Sequence, residues 1–396
     1  MISTGIIGTF VPLYLLDALH GSNQQVALLN SLPAIVSVIA SLAGLVIIPH
    51  LTHFKPFTFI NILATRLSYL LLGLIPWISL PWSPTLTLDI IALGSFPQSL
   101  GNLGWQALIA QLIPQSLRSG FFSQRNLVVA LIGLVATAVT GGILQWFNPH
   151  WIWPYQIFFI AASAFGAIEL LYLVRHREPF SLRTPSRTAL PINWQTMWQH
   201  PEFVRYTLLS AFFNFGWQMS WPLFNIFQIR DAGATGLWLG LFAVAAQLGQ
   251  ILTFRWWGRQ SDTKGGMGTL AFASAGVATV PWLTVLSTNL WYLTAVNMES
   301  GIFLSGVNLL LFTQLLAKIP QENRAHYIAA YNVVLGAIAF LAPEFGIWCF
   351  QWIHMQGTMI LSSGWRLAGA LLFATAARGP GAVSDARSLW WRVLGR

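Results

Sequence analysis

The sequence predicts an all-α polytopic membrane protein of about twelve transmembrane helices, arranged as two six-helix pseudo-symmetric halves. Three observations carry this. Of its 396 residues, 55% are hydrophobic and only 8% charged, with a mean hydropathy of +0.63, against roughly 25% charged residues in soluble domains. Apolar runs near or above the ~18 residues that cross a bilayer recur along the whole chain. Two stretches 206 positions apart read Ile113-Pro114-Gln115-Ser-Leu-Arg118 and Ile319-Pro320-Gln321-Glu-Asn-Arg324, each running on to an asparagine, Asn126 and Asn332. A Pro and an Arg kept at one register in both halves of an apolar chain imply duplication.

The first six spans fall at roughly 2–19, 26–49, 57–80, 86–112, 124–147 and 152–174. Those of the second half fall at roughly 203–228, 235–257, 267–287, 290–317, 327–352 and 356–377. At ~1.5 Å per residue the first barely crosses the hydrocarbon. Its Val-Pro12-Leu-Tyr14 is echoed weakly by Trp221-Pro222-Leu-Phe in the seventh. The third holds Arg66, a charge with no evident partner. Residues 176–202, basic and Pro-containing, read as a linker between an N-terminal bundle (1–175) and a C-terminal one (203–378), with a basic tail at 379–396.

The +9 net charge is concentrated in alternate loops, which argues for membrane orientation and against a nucleic-acid footprint. Lys55, Arg118, Arg125, Arg175, Arg205, Arg255, Arg259, Lys264, Lys318 and Arg324 fall on one side, and Arg230 alone on the other. By the positive-inside rule the basic side, with both termini, is cytoplasmic. A multi-pass protein of the inner cell membrane is therefore expected. The single Cys349 leaves no disulfide framework or thiolate metal cluster. No Walker, Gly-x-Ser-x-Gly or His-Glu-x-x-His sequence occurs, so no cofactor is expected and those routes to ATP use or hydrolysis have no support.

Span seven places Asn214, Gln218, Trp221 and Asn225 at i, i+4, i+7 and i+11, on one helical face. Span four repeats the pattern with Gln98, Asn102 and Trp105. Amides in hydrocarbon need partners or water, and an amide face beside an indole suits hydrogen bonding and stacking of a small organic solute. The competing reading is pairing between neighbouring helices. Tyr14, Asn297 and Asn308 are weaker members of the same set. Glu299, about ten residues into span ten, is the leading candidate to carry a proton. Glu344 and Arg366 sit at comparable depth and are expected to pair, because an uncompensated buried charge costs several kcal/mol.

At these residues the chain resembles the major facilitator superfamily along essentially its whole length. Gly258-Arg259-Gln-Ser-Asp262-Thr-Lys-Gly265 is similar to the family's Gly-x-x-x-Asp-x-x-Gly loop, here between spans eight and nine. The two Ile-Pro-Gln-x-x-Arg segments match its loops between spans four and five and spans ten and eleven. Gly141-Gly142 keep the glycine pair of its antiporter motif. The corresponding loop between spans two and three, His50-Leu-Thr-His-Phe-Lys55-Pro56, lacks an acid, and the antiporter motif lacks its Gly-Pro. The resemblance implies two halves around a central cavity lined by spans one, four, seven and ten. In the loop where Gly258 and Gly265 permit a tight turn, Asp262 is a lone carboxylate beside Arg259 and Lys264. It is expected to cap the fifth helix near 120–124 as a cytoplasmic latch, with Arg118 or Arg125 adding ion pairs and Arg324 marking the second copy. The competing reading is a solvated turn.

The functional expectation is a monomeric secondary transporter that moves a small organic solute by alternating access, with proton-coupled efflux as the leading form. Alternatives of the same fold and of other classes are a nutrient uptake permease, a polytopic lipid-modifying enzyme and a non-transporting sensor. Scattered acids fit a lipid-modifying enzyme poorly, since such chemistry needs clustered ligands or bases.

Overall fold

The structure, a computed structural model, describes residues 2–78, 83–112, 115–148, 150–175, 200–320 and 324–377. Most of the expected linker and the whole basic tail lie outside these residues. Among those described there is no strand, and twelve helical segments follow one another as expected, with seven helices long and apolar enough to cross a membrane. They are α1 (Ile2–Leu13, ending in a π turn, Tyr14–Ala18), α2 (Asn23–Ile47), α3 (Phe54–Leu74), α4 (Ser83–Leu112), α5 (Gln115–Leu144) and α6 (Trp153–Arg175). The second half has α7 (Pro201–Met219, then Trp221–Ile226 and a π turn, Phe227–Asp231), α8 (Gly236–Lys264), α9 (Gly266–Thr284) and α10 (Leu290–Lys318). One helical run, Arg324–Ala377, breaks at His354 (φ 59°) into α11 (324–353) and α12 (355–377).

Local chemistry sets the ends of several helices. Ser22 and Gln25 form a reciprocal capping box on α2, and Asn289 accepts hydrogen bonds from Trp291 N and Tyr292 N at the start of α10. Gly265, at φ 89°, turns the chain from α8 into α9. The Gly258–Gly265 segment is thus not a loop throughout: Gly258 to Lys264 are the last turns of α8, and one glycine makes the turn.

The halves share a packing plan offset by six helices. α3 packs on α4 and α6 as α9 packs on α10 and α12, and α2 packs on α4 as α8 packs on α10. The halves meet where α5 packs on α8 and where α2 packs on α11 and on the Trp221–Ile226 segment. Gly141 permits the α5–α8 contact, since a Cβ there would lie 2.7 Å from Gly236 O and 3.3 Å from Gly240 Cα.

The apolar core is unevenly distributed along the membrane normal. Toward the end that carries Arg230, one continuous cluster unites both halves, with Phe10, Leu15 and Phe159 of the first and Leu223, Phe242 and Ile347 of the second. Toward the basic end the described residues form separate clusters: Phe54, Leu108 and Leu173 in the first half, and Phe203, Leu315 and Tyr327 with others in the second. Among the described residues, burial of apolar surface therefore joins the halves in one continuous cluster only toward the Arg230 end.

Candidate functional site

The site begins with a broken helix. Pro222 has no N–H to donate to Gln218 O, and its ring crowds that carbonyl, which favours a break in α7 at Ser220. Ser220 instead turns its N–H to Gln218 O and ends the first part of α7. The freed carbonyls are taken up by Arg366 of α12, which is fully buried. Its Nε donates to Gly216 O at 3.3 Å, its Nη2 to Trp217 O at 3.2 Å and to Ser220 Oγ, and its Nη1 to Val277 O at 2.9 Å. Ser362 Oγ adds a 2.7 Å hydrogen bond to Gly216 O. The break is therefore pinned from α9 and α12.

Below the break lies a cavity of about 470 Å³ between the halves. The first half contributes Thr9 and Pro12 of α1, Asn30 of α2 and Ile91 of α4. The second contributes Trp217, Trp221, Phe224, Asn225 and Gln228 of α7, Gln250 of α8, Asn297 and Ser300 of α10, and Arg366. Aromatic rings and amides thus face a space walled by both halves, and Arg366 is the charged residue on that wall.

Of the residues singled out from the sequence, Trp221, Asn225 and Asn297 line the cavity. Tyr14 is buried against Tyr155 and Phe159, ring centroids 5.4 and 5.2 Å away. Asn214 is buried and donates to Ser210 O, and Gln218 is half-buried off the cavity wall, because the break at Ser220 rotates the upper face of α7 away from the lower one. On α4 the cavity reaches Ile91. Gln98, Asn102 and Trp105 lie ~10 to 20 Å further toward the basic end at 1.5 Å per residue. Asn102 and its repeat partner Asn308 are both exposed. Asn30, Gln228, Gln250 and Ser300, and Arg366 as a cavity residue, are not legible in the sequence pattern, although Gln228 follows Asn225 by three residues on the same face.

The intramembrane charges pair differently from expectation. Arg366 does not meet Glu344. The Glu344 carboxylate accepts instead from Ser31 Oγ at 2.8 Å, across the interface between the halves, because residue 344 faces α2 while residue 366 faces α7 and α9. Arg66 has a partner after all: Glu169 of α6 at 2.6 Å. Gly166 makes room for it, since a Cβ there would fall 2.1 Å from Arg66 Cδ. Glu299 accepts from Thr279 Oγ1 of α9 at 2.8 Å and is not on the cavity wall, whereas Val296, Asn297 and Ser300 of the same helix are.

At the basic end, Asp262 is exposed and makes no ion pair among the described residues, and Gly258, Arg259 and Gly265 surround it at the end of α8. The guanidinium of Arg125 sits 4.3 Å from the Trp105 ring. The side chains of Arg118, Arg324 and residues 120–124, where the latch was expected, lie outside what the structure describes.

The opposite end is joined by a residue the loop census had isolated. Arg230 donates through Nη2 to Gly21 O at 2.7 Å and through Nη1 to Asn23 Oδ1, linking the end of α7 to the α1–α2 turn. His150 of the α5–α6 loop lies 3.1 Å from Asp17 O in the same cluster.

A profile of the major facilitator superfamily matches residues 1–343. No curated protein sequence matches the chain. Several solved structures share its fold: a mutant form of the nucleoside transporter NupG (TM-score 0.76, 12% identity, 94% of this chain and 96% of that one) and a D-xylose-proton symporter (0.70, 14%, 94% and 93%). A third is a bacterial homologue of the human lysosomal transporter Spinster, in an inward-facing and occupied conformation (0.66, 14%, 95% and 93%).

Proposed function

The chain belongs to the major facilitator superfamily, and on that premise we propose that it is a secondary transporter of a small, ring-bearing organic solute, working as a single chain by alternating access. The observation that carries this is the 470 Å³ cavity of aromatic and amide side chains between the halves, beneath an end sealed by their shared core and by Arg230. Trp221 stacks on the solute, and Asn225 and Asn297 hydrogen-bond to its edges.

The basic end is cytoplasmic by its loop charges, and the state described is read as inward-facing, because among the described residues the core is continuous only at the other end. Asn102 and Asn308, both exposed at equivalent positions of the repeat, face the aqueous route to the cytoplasm with Gln98 and Trp105, since an amide turned to lipid is costly. Tyr14, Asn214 and Gln218 support the walls. Asp262, with Arg118, Arg125, Arg259 and Arg324 around the turns at Gly258 and Gly265, latches the cytoplasmic end in the opposite state. Glu299 couples a proton through its contact with α9, and efflux is the direction retained. A second reading, proton-linked uptake, draws on the likeness to the D-xylose-proton symporter.

Flux into proteoliposomes under an imposed proton gradient tests both. Parent protein moves substrate with the gradient, Trp221→Ala and Asn225→Ala lose affinity, and Glu299→Gln uncouples flux from the gradient. The sign of the gradient dependence separates efflux from uptake. Lipid turnover in the absence of flux overturns the transporter reading.

A further inference from the structure

We propose that the solute carries one ionised acid group, a carboxylate that Arg366 neutralises at the cavity wall, so that the transported class is small ring-bearing organic monoanions. This rests on the cavity being the substrate site and specifies its chemistry.

The observation is a fully buried cation without a counter-anion among the described residues. Every acceptor that Arg366 has is neutral: three backbone carbonyls and the Ser220 hydroxyl. Among the described residues no carboxylate pairs with it, for Glu344 is held by Ser31, Glu299 by Thr279 and Glu169 by Arg66. The carbonyl end of the first part of α7 offers a dipole equivalent to about half a negative charge. The guanidinium therefore remains under-compensated inside the membrane, where desolvation of a charge is costly.

The guanidinium also has capacity to spare. It presents five N–H groups in a fixed fork, and the four hydrogen bonds engage Nε, Nη2 twice and Nη1 once. One Nη1–H is left to meet an incoming carboxylate oxygen, and Ser220 Oγ is an acceptor that such an oxygen can displace. Charge sets the valence of the ligand. With no acid and no second cation among the described residues of the cavity wall, a monoanion brings the site to neutrality, while a dianion leaves an uncompensated negative charge and a neutral solute leaves the positive one. The rest of the ligand is set by what lies beside Arg366. Phe224, 5.8 Å from the guanidinium carbon, with Trp217 and Trp221, offers flat apolar faces to a ring.

Benzoate and its neutral isostere benzamide are suitable probes. Binding to the purified full-length protein in chloride-free buffer is read by thermal unfolding, reported by a dye that reacts with the buried Cys349 thiol as it is exposed. Parent protein is expected to prefer benzoate by roughly tenfold or more, the scale of a charge-assisted hydrogen bond. Arg366→Lys, which keeps the charge and is the safer variant for folding, retains a reduced preference, and Arg366→Gln brings the two probes to parity. Equal binding of both probes to the parent, lost together in Trp221→Ala, overturns the anion and leaves the cavity as the site. Chloride stabilising as well as benzoate overturns the organic acid, and a parent that responds to neither probe overturns the proposed class together with the cavity reading.

Discussion

Replacing Arg230 by Ala removes two hydrogen bonds that exist only while the halves are closed at that end, to Gly21 O and to Asn23 Oδ1. Arg230 is exposed, so each contact is worth the lower part of the usual range, about 0.5 to 1 kcal/mol. Together they favour the closed state by about 1 to 2 kcal/mol, a factor of roughly 5 to 30 in the equilibrium. A state open at the Arg230 end that is ~1% populated in the parent rises to between ~5 and ~25% in the variant. The readout is a cysteine on the cavity wall, Ser300→Cys in a Cys349→Ala background, labelled on intact cells by a membrane-impermeant maleimide. Labelling from the Arg230 face should accelerate in proportion to that population, about 5- to 25-fold, with Arg230→Lys in between. An unchanged rate would refute the assignment of Arg230 as a lock, whatever happened to flux.

Three further variants probe other links. Asp262→Asn should slow that labelling by a few-fold, the scale of an exposed ion pair, because the acid makes no ion pair among the described residues in this state and the latch lowers only the opposite one; equal rates remove the latch. Gly141→Leu should speed it, since the side chain meets Gly236 O and Gly240 and overpacking costs about 1 to 3 kcal/mol, whereas Gly142→Leu, with open space around it, should leave it alone. Glu169→Gln should lower the melting temperature by a few degrees: Arg66 keeps 10% side-chain exposure and loses its ion-pair partner, and the half-exposed position of Glu169 (47%) limits the cost to about 1 to 2 kcal/mol. The double variant Arg66→Gln/Glu169→Gln should recover much of the loss, and additive destabilisation would show that the pair does not act as a unit.

Hydropathy and the duplicated Ile-Pro-Gln-x-x-Arg made the order of spans legible, because a membrane leaves the backbone little choice but a helix. Side-chain direction was less legible. Asn214, Gln218, Trp221 and Asn225 share a face only on an unbroken helix, and Pro222, present in the sequence, splits them at Ser220. Glu344 and Arg366 were matched by depth, but depth carries no information about azimuth, and the two face different neighbours. Arg66 and Glu169 show the same limit from the other side, since their meeting depends on α3 packing on α6. Periodicity within one helix is a local property; which helix it faces is not.

The lock at the Arg230 end shows how a duplicated fold becomes directional. α1 and α7 both end in a π turn, Tyr14–Ala18 and Phe227–Asp231, and both continue through Asp-Ala, at Asp17-Ala18 and Asp231-Ala232. Each is followed by a residue of positive φ, His20 at 55° and Gly233 at 66°, before the next helix begins. The shape is thus shared by both repeats, but the residue before the acid is Leu16 in the first and Arg230 in the second. A leucine joins the apolar core, whereas an arginine cannot be buried there without partners and reaches out to the carbonyl of Gly21 in the other copy's turn. One side-chain difference at equivalent positions converts a symmetric pair of turns into a donor and an acceptor. Opening at this end must separate them, so on the proposed transport cycle the energy of that contact helps set how often the cavity opens at the Arg230 end.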